Sequence, residues 1–287
     1  MTLPIKKLPS NHLGKDYIVG DLHGCFSLLE RLMKEVGFNK DHDRLFSVGD
    51  LIDRGPESLR CLQLLVEPWF YAVKGNHEDM FLELFMPYLL SNKLPSPNMF
   101  DNSSMMDNGG EWVKDHINQN QQAMSVEFDK VLELVAKMPL IYIVGDADLR
   151  FHVIHAELTK PKAYSIDNLV YVDSDIDQFF INGAISYDLE DRLYWSRSLM
   201  KSATADVYYP SVQKGLSTTF CGHTIARNIR QKLSHVCLDT GAFMSIDANN
   251  DYGLVLYDFS ESQYFWTSYQ QNKVISSNYK IVTTTSL

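Results

Sequence analysis

Cysteine is scarce and unpatterned: Cys25, Cys61, Cys221 and Cys237 form no CxxC pair and no regular framework spacing. That excludes a disulfide scaffold and a thiolate metal site, and the four read as small buried hydrophobes in a reducing compartment. No apolar run approaches the length of a membrane span. Residues 1–15 are polar and proline-containing, with no apolar core of signal-peptide length. A cytoplasmic protein with no membrane partner is therefore expected. Positive charge is also lacking, since 26 Lys and Arg against 36 Asp and Glu leave a net charge of −10. Stable nucleic-acid binding needs a basic face and is not expected. Phosphorylated substrates stay open, because bound divalent cations would reverse the local sign. Internal repeats and low-complexity linkers are missing as well.

What is present is a sequence of 287 residues, 45% of them hydrophobic, enough for a large α/β core. The first third alternates strands and helices. Strands are expected at Asp16–Val19, Arg44–Val48 and Phe70–Lys74, and helices at Cys25–Val36, Pro56–Val66 and Glu78–Leu90. Strand, crossover helix and strand in repetition indicate a parallel sheet, whose functional groups gather beyond the strands' carboxyl ends. Leu94–Gly110 reads as a loop or lid, Phe128–Met138 as a helix, and Leu140–Val144 with Leu149–Ile154 as a hairpin across Gly145–Asp148. Thr159–Ile185 takes no clear assignment. Strands return at Thr218–Cys221, Ser234–Leu238 and Tyr252–Tyr257. One domain over 1–287 is expected, with a catalytic core of about 16–257 and specificity loops of about 91–110 and 159–185.

Three polar clusters follow the first three strands: Gly20-Asp21-Leu22-His23-Gly24, Gly49-Asp50-Leu51-Ile52-Asp53-Arg54-Gly55 and Gly75-Asn76-His77-Glu78. Glycine at each strand end allows a sharp turn and a close backbone approach to a ligand. Carboxylate, imidazole and amide together suit Mn²⁺, Fe²⁺ or Zn²⁺. His155 and His223 follow later strand-like runs. Each cluster alone is weak, because Gly and Asp also dominate ordinary turns. Their conjunction, in order and always at strand ends, is specific.

These motifs resemble the calcineurin-like metallophosphoesterases, within them the phosphoprotein phosphatase family in its bacterial and bacteriophage-lambda-type branch. The likeness rests on GDLHGC (Gly20–Cys25), GDLIDRGPES (Gly49–Ser58) and KGNHEDM (Lys74–Met80). It continues through Asn108-Gly109-Gly110, His155-Ala156, Trp195-Ser196-Arg197, CGHT (Cys221–Thr224) and LDTGA (Leu238–Ala242). The resemblance implies a central β-sandwich of mixed sheets flanked by helices. It further implies two divalent ions, with Mn²⁺ expected and Fe, Zn or Ni as alternatives. Asp21, His23 and Asp50 would hold one ion, and Asp50, Asn76, His155 and His223 the other, with a metal-bridging hydroxide attacking phosphorus. His77 would be the general acid and Asp53 its orienting carboxylate, while Arg54 and Arg197, with Asn76, would hold the phosphate. Asp239 is expected to hydrogen-bond a ligand histidine, and Glu78 and Asp79 to be plain helix-start acids.

Three functions compete on this reading. The first is a serine/threonine protein phosphatase acting on phosphoproteins or small phosphate esters. The second is a diadenosine tetraphosphatase-like pyrophosphohydrolase; such relatives typically lack the aspartate seen at Asp53 and carry Asp where this chain has Glu78. The third is an inactive metal-binding scaffold, which would have lost acid or ligands that are all present here. Tyr164, Tyr171, Asp173, Asp175 and Phe179 are candidates for a pocket rim. Oligomeric state is not legible.

Overall fold

The computed structural model describes residues 3–118, 123–161, 165, 168–201, 209–247, 251–271 and 273–283. Its centre is two six-stranded mixed sheets. In the first, β2 (Asp16–Val19), β3 (Arg44–Ser47) and β4 (Phe70–Ala72) run parallel. On the other side of β2 follow β12 (Leu254–Asp258), β13 (Gln263–Thr267) and β14 (Ile275–Asn278), each antiparallel to its neighbour. The second sheet has the order β1 (Ile5–Leu8), β7 (Ile141–Val144), β8 (Phe151–Val153), β9 (Thr218–Cys221), β11 (His235–Cys237) and β10 (Arg230–Lys232). Within it β8, β9 and β11 are mutually parallel. A short ladder joins β5 (Ile117–Asn118) to β6 (Ala123–Met124).

Alternation along the strands assembles the layers. On β2, Tyr17 and Val19 face outward to helices while Ile18 faces the other sheet. On β7, Ile141 and Ile143 face outward while Tyr142 and Val144 face in. Because side chains alternate with a period of two, both sheets carry two buried faces. The core between the sheets is aromatic, with Phe46, Tyr142, Phe151, Phe220 and Tyr257. Helices α1 (Phe26–Glu35), α2 (Ser58–Gln63), α3 (Asn76–Ser91) and α6 (Val126–Val135) cover the first sheet through Leu28, Leu32, Leu62, Phe81, Phe85 and Leu132. Helices α7 (Asp173–Asn182) and α8 (Tyr187–Trp195) cover the second through Ile176, Leu189 and Leu193. The fold is thus the expected sandwich of mixed sheets flanked by helices.

Several expectations are corrected. Leu94–Gly110 is not simply a loop: it contains α4 (Pro97–Asp101) and α5 (Ser104–Asp107). Ser96 and Ser103 cap these helices by accepting from Met99 N and Met106 N, and Pro97 takes the first helical position. Helix α3 starts two residues before the expected Glu78, which places Asn76 and His77 in its first turn. The polar N-terminus supplies an edge strand, β1, paired in parallel with β7. Of the segment 159–185, the described part contains the whole of α7, and Tyr164 lies outside the described residues. Tyr171 and Phe179 meet edge to face against the core of the second sheet, and Asp173 accepts from Ser217.

Phe46 lies at the centre of the sandwich, stacked on Tyr71 at 5.2 Å and meeting Phe151 edge to face at 5.5 Å. Phe46→Ala is expected to cost about 3–5 kcal/mol of unfolding free energy in urea titration. A loss below about 1 kcal/mol would show that the inter-sheet core does not hold the sheets together.

Candidate active site

The expected site residues come from the carboxyl ends of the parallel strands of both sheets. Asp21 and His23 follow β2, Asp50, Asp53 and Arg54 follow β3, and Asn76 and His77 open α3 after β4. From the second sheet, His155 follows β8 and His223 follows β9. All of these are buried except Arg54, which is exposed. Arg197, just past α8, is half-buried and donates to the carbonyl of His223.

Asp50 lies where the two sets meet. Its Oδ2 is 3.4 Å from His23 Nε2 and its Oδ1 is 3.4 Å from His155 Nε2. These separations are long for hydrogen bonds. They suit donor atoms sharing an ion about 2.1 Å from each. His155 Nε2 also lies 3.0 Å from Asn76 Oδ1 and 3.2 Å from His223 Nδ1. Backbone carbonyls fix two rings from behind: His23 Nδ1 donates to Ile52 O and His155 Nδ1 to Val48 O, each at 2.8 Å. Those bonds leave the Nε2 lone pairs facing Asp50, the arrangement of a metal-ligating imidazole.

Charge and polar satisfaction agree with a cation site. Burial, followed by the charges of Asp239 and Asp50, pushes the Asp21 carboxyl well above its usual range. Burial brings Asp239 up to about 6. A buried carboxylate cluster of this kind calls for compensating positive charge. Asp21 Oδ1 is moreover buried without a hydrogen-bond partner. Burial is the main cause lowering the pKa of His23, of His155 and of His223, the last to about 2, so these three present neutral imidazoles. Neutral rings and ionised oxygens are what divalent ions bind. The residues present therefore fit such ions.

His77 differs from the other three. Burial opposes its protonation, but the charges of Asp50 and Asp53 and the Asp53 hydrogen bond outweigh it and raise its pKa. Its Nδ1 lies 2.6 Å from Asp53 Oδ2. Its Nε2 is buried without a partner, 3.9 Å from Asp50 Oδ2. Within this one site, three imidazoles are thus held neutral and one is held toward its charged form.

The backbone is bent to achieve this. Among the described residues, ten non-glycines have positive φ, and five belong to the site: His23, Asp50, Asp53, Arg54 and His223. Such strain persists where surrounding contacts enforce it. Glycine is required where the backbone passes a carboxylate, for a Cβ on Gly222 would lie 1.8 Å from Asp21 Oδ1.

Four residues escaped the sequence reading. Glu78 is no plain helix-start acid: it is fully buried and accepts from Gly75 N, Asp50 N and Leu51 N at 2.7–2.9 Å. It thereby ties the start of α3 to the turn that carries Asp50. Trp112 Nε1 donates to Asp53 Oδ1 at 2.7 Å. Phe243 lies beneath the Arg54 guanidinium, 4.7 Å from ring centre to Cζ, and meets His23 edge to face. Glu157 accepts from Leu199 N, Met200 N and the hydroxyls of Ser196 and Ser198, which holds the turn bearing Arg197. Local spacing gave a signal only for Glu78, three residues past the glycine at the helix start, where a capping glutamate reaches back. Asp239 is also corrected: it accepts from Gly241 N, and among the described residues no histidine donates to it. Trp195 is exposed at 44%, with its ring edge-on to His223.

Because Asp21 rests against Gly222, Gly222→Ala is expected to weaken divalent-metal binding by about tenfold or more in calorimetric titration, with circular dichroism unchanged. Unaltered affinity would contradict the placement of Asp21 in a cation site.

The model of the calcineurin-like phosphoesterase family matches residues 17–224. The chain is 31% identical over 229 residues to serine/threonine-protein phosphatase 2 of Salmonella typhimurium, covering 80% of this chain and 88% of that protein. It is 45% identical over 84 residues to the symmetrical bis(5'-nucleosyl)-tetraphosphatase of Actinobacillus pleuropneumoniae, 29% of this chain and 30% of that one. A crystal structure provisionally described as a diadenosine tetraphosphatase superposes with a TM-score of 0.55 at 22% identity, covering 96% of this chain and 98% of its own. With its strand-end motifs gathered at one buried centre and the family match spanning most of its length, the chain belongs to the calcineurin-like phosphoesterase family and is a hydrolase.

Proposed function

We propose that the chain is a serine/threonine protein phosphatase of the lambda type, hydrolysing phosphate monoesters on proteins or small molecules. The observation that carries this reading is the His77–Asp53 pair, a buried imidazole held at Nδ1 with a free Nε2 and a raised pKa. A phosphoserine leaves as a strongly basic alkoxide and needs a proton as it departs. His77 is placed to deliver it from Nε2, and Asp53 keeps the ring oriented and favours its charged form.

Asp21, His23 and Asp50 would hold one divalent ion, and Asp50, Asn76, His155 and His223 a second, with Mn²⁺ the expected metal. Ions bound there would polarise the phosphate and supply an activated water. The protein's own task is to fix geometry. Arg54 lies against the ring of His23 and Arg197 donates to the carbonyl of His223, so their guanidinium groups would clamp the phosphate oxygens. Arg54 Nη1 lies 2.9 Å from His23 Nε2, and its exposure leaves it free to turn toward substrate. The four free buried thiols agree with a reducing cytoplasm, which we propose as its compartment.

Cleavage of diadenosine tetraphosphate is the second reading, favoured by the 84-residue likeness to a nucleosyl-tetraphosphatase. Asp53 weighs against it. That reaction expels a nucleotide phosphate, a far weaker base than an alkoxide, so it gains less from an acid dyad.

The test is Mn²⁺-supported kcat/KM for a phosphoserine peptide and for diadenosine tetraphosphate, measured side by side. The peptide is expected to be preferred, and His77→Asn to cut peptide turnover by about 10²–10⁴-fold. Preferred cleavage of the dinucleotide would overturn the phosphatase reading.

A further inference from the structure

We propose that Trp112 is a positioning residue for proton donation, the third member of a chain running Trp112–Asp53–His77. The inference rests on the reading of His77 as the general acid. Asp53 is fully buried, with its backbone in the left-handed region at φ 71°. Among the described residues its two carboxylate oxygens have one side-chain partner each: Oδ2 takes His77 Nδ1 at 2.6 Å and Oδ1 takes Trp112 Nε1 at 2.7 Å. A carboxylate held at one oxygen alone can turn about its broad terminal torsion. Held at both, it keeps one edge toward His77. An indole N–H suits this task because it donates and cannot accept. It therefore supports the ionised carboxylate and offers the proton of His77 no alternative acceptor.

The surroundings hold Trp112 in turn. Its ring lies parallel to Phe81 of α3 at 6.1 Å and tilted against Phe128 of α6 at 5.9 Å. Just upstream, Gly109 O accepts from Arg54 N. Gly109 has φ 92°, and a Cβ there would lie 2.8 Å from that same nitrogen. Residues 109–112 thus grip both Asp53 and Arg54, the two residues that follow Ile52 on the turn after β3. A stretch that reads in sequence as the end of a substrate loop serves the proton donor and the phosphate-holding arginine.

The experiment compares leaving groups on the full-length Mn²⁺-loaded protein. Trp112→Phe keeps an aromatic ring against Phe81 and Phe128 and removes the donor together with part of the indole, so the contrast between leaving groups, not the loss alone, reads the hydrogen bond. For a phosphoserine peptide its kcat is expected to fall about tenfold, the scale of one hydrogen bond to a charged group. For p-nitrophenyl phosphate, whose phenolate leaves with little help, kcat should change by less than about twofold, with KM unchanged for both. His77→Asn should give the same selectivity on a larger scale. Equal losses on both substrates, or none on either, would overturn the role of Trp112. Equal losses in His77→Asn would instead remove the acid assignment beneath it. Should Trp112→Phe fail to fold, the Nε1–H resonance of Trp112 in the native protein decides. A downfield, slowly exchanging signal that moves in Asp53→Asn supports the bond, and one exchanging like a free indole refutes it.

Discussion

Everything at this centre depends on where the Asp50 carboxylate is held. It stands at the end of a strand from one sheet, with His23 from the same sheet on one side and His155 from the opposite sheet on the other, each 3.4 Å away. Two layers that share only an apolar interface would not fix such a point. They are joined at this end by polar contacts that cross between them: His155 Nδ1 to Val48 O, His223 N to Asp21 Oδ2, and Lys74 N to Pro139 O. Site geometry and sheet–sheet registry are therefore one constraint. The aromatic core sets the spacing of the layers, and the strand ends convert that spacing into donor positions.

The cost is local and visible. Five site residues hold left-handed backbone, and several carboxylates are buried close together. Such arrangements persist because packing elsewhere over-determines them. Glu78 shows how: its carboxylate gathers three backbone N–H groups that a tight turn and a helix start would leave unpaired. Burial and the charge of Asp50 bring this side chain up to about 7 even so. Here stability and function draw on the same few bonds.

Much of this was legible in the sequence. The β2, β3 and β4 ends could be read because Gly-Asp-x-His, Gly-Asp-x-x-Asp-Arg and Gly-Asn-His-Glu each follow an apolar run, so motif and element reinforce one another. All the expected site residues reach the same region. What escaped is non-local. Trp112 is 59 residues from Asp53, and Glu157 is 42 from Leu199; no spacing rule connects such partners. Edge strands escaped for a different reason. The strand β14 is exposed throughout and β10 is half-buried, so neither carries the apolar alternation that marks a strand. In Leu94–Gly110, turn-forming residues concealed two short helices, because serine at a cap and serine in a loop look alike without coordinates.

The central claim is that Asp50 is shared by two ions. Anomalous diffraction from Mn²⁺-soaked crystals addresses it most directly. Two peaks are expected, about 3.5–4 Å apart, one on the His23 side of Asp50 and one on the His155 and His223 side. A single peak, or peaks that do not flank Asp50, would contradict the account.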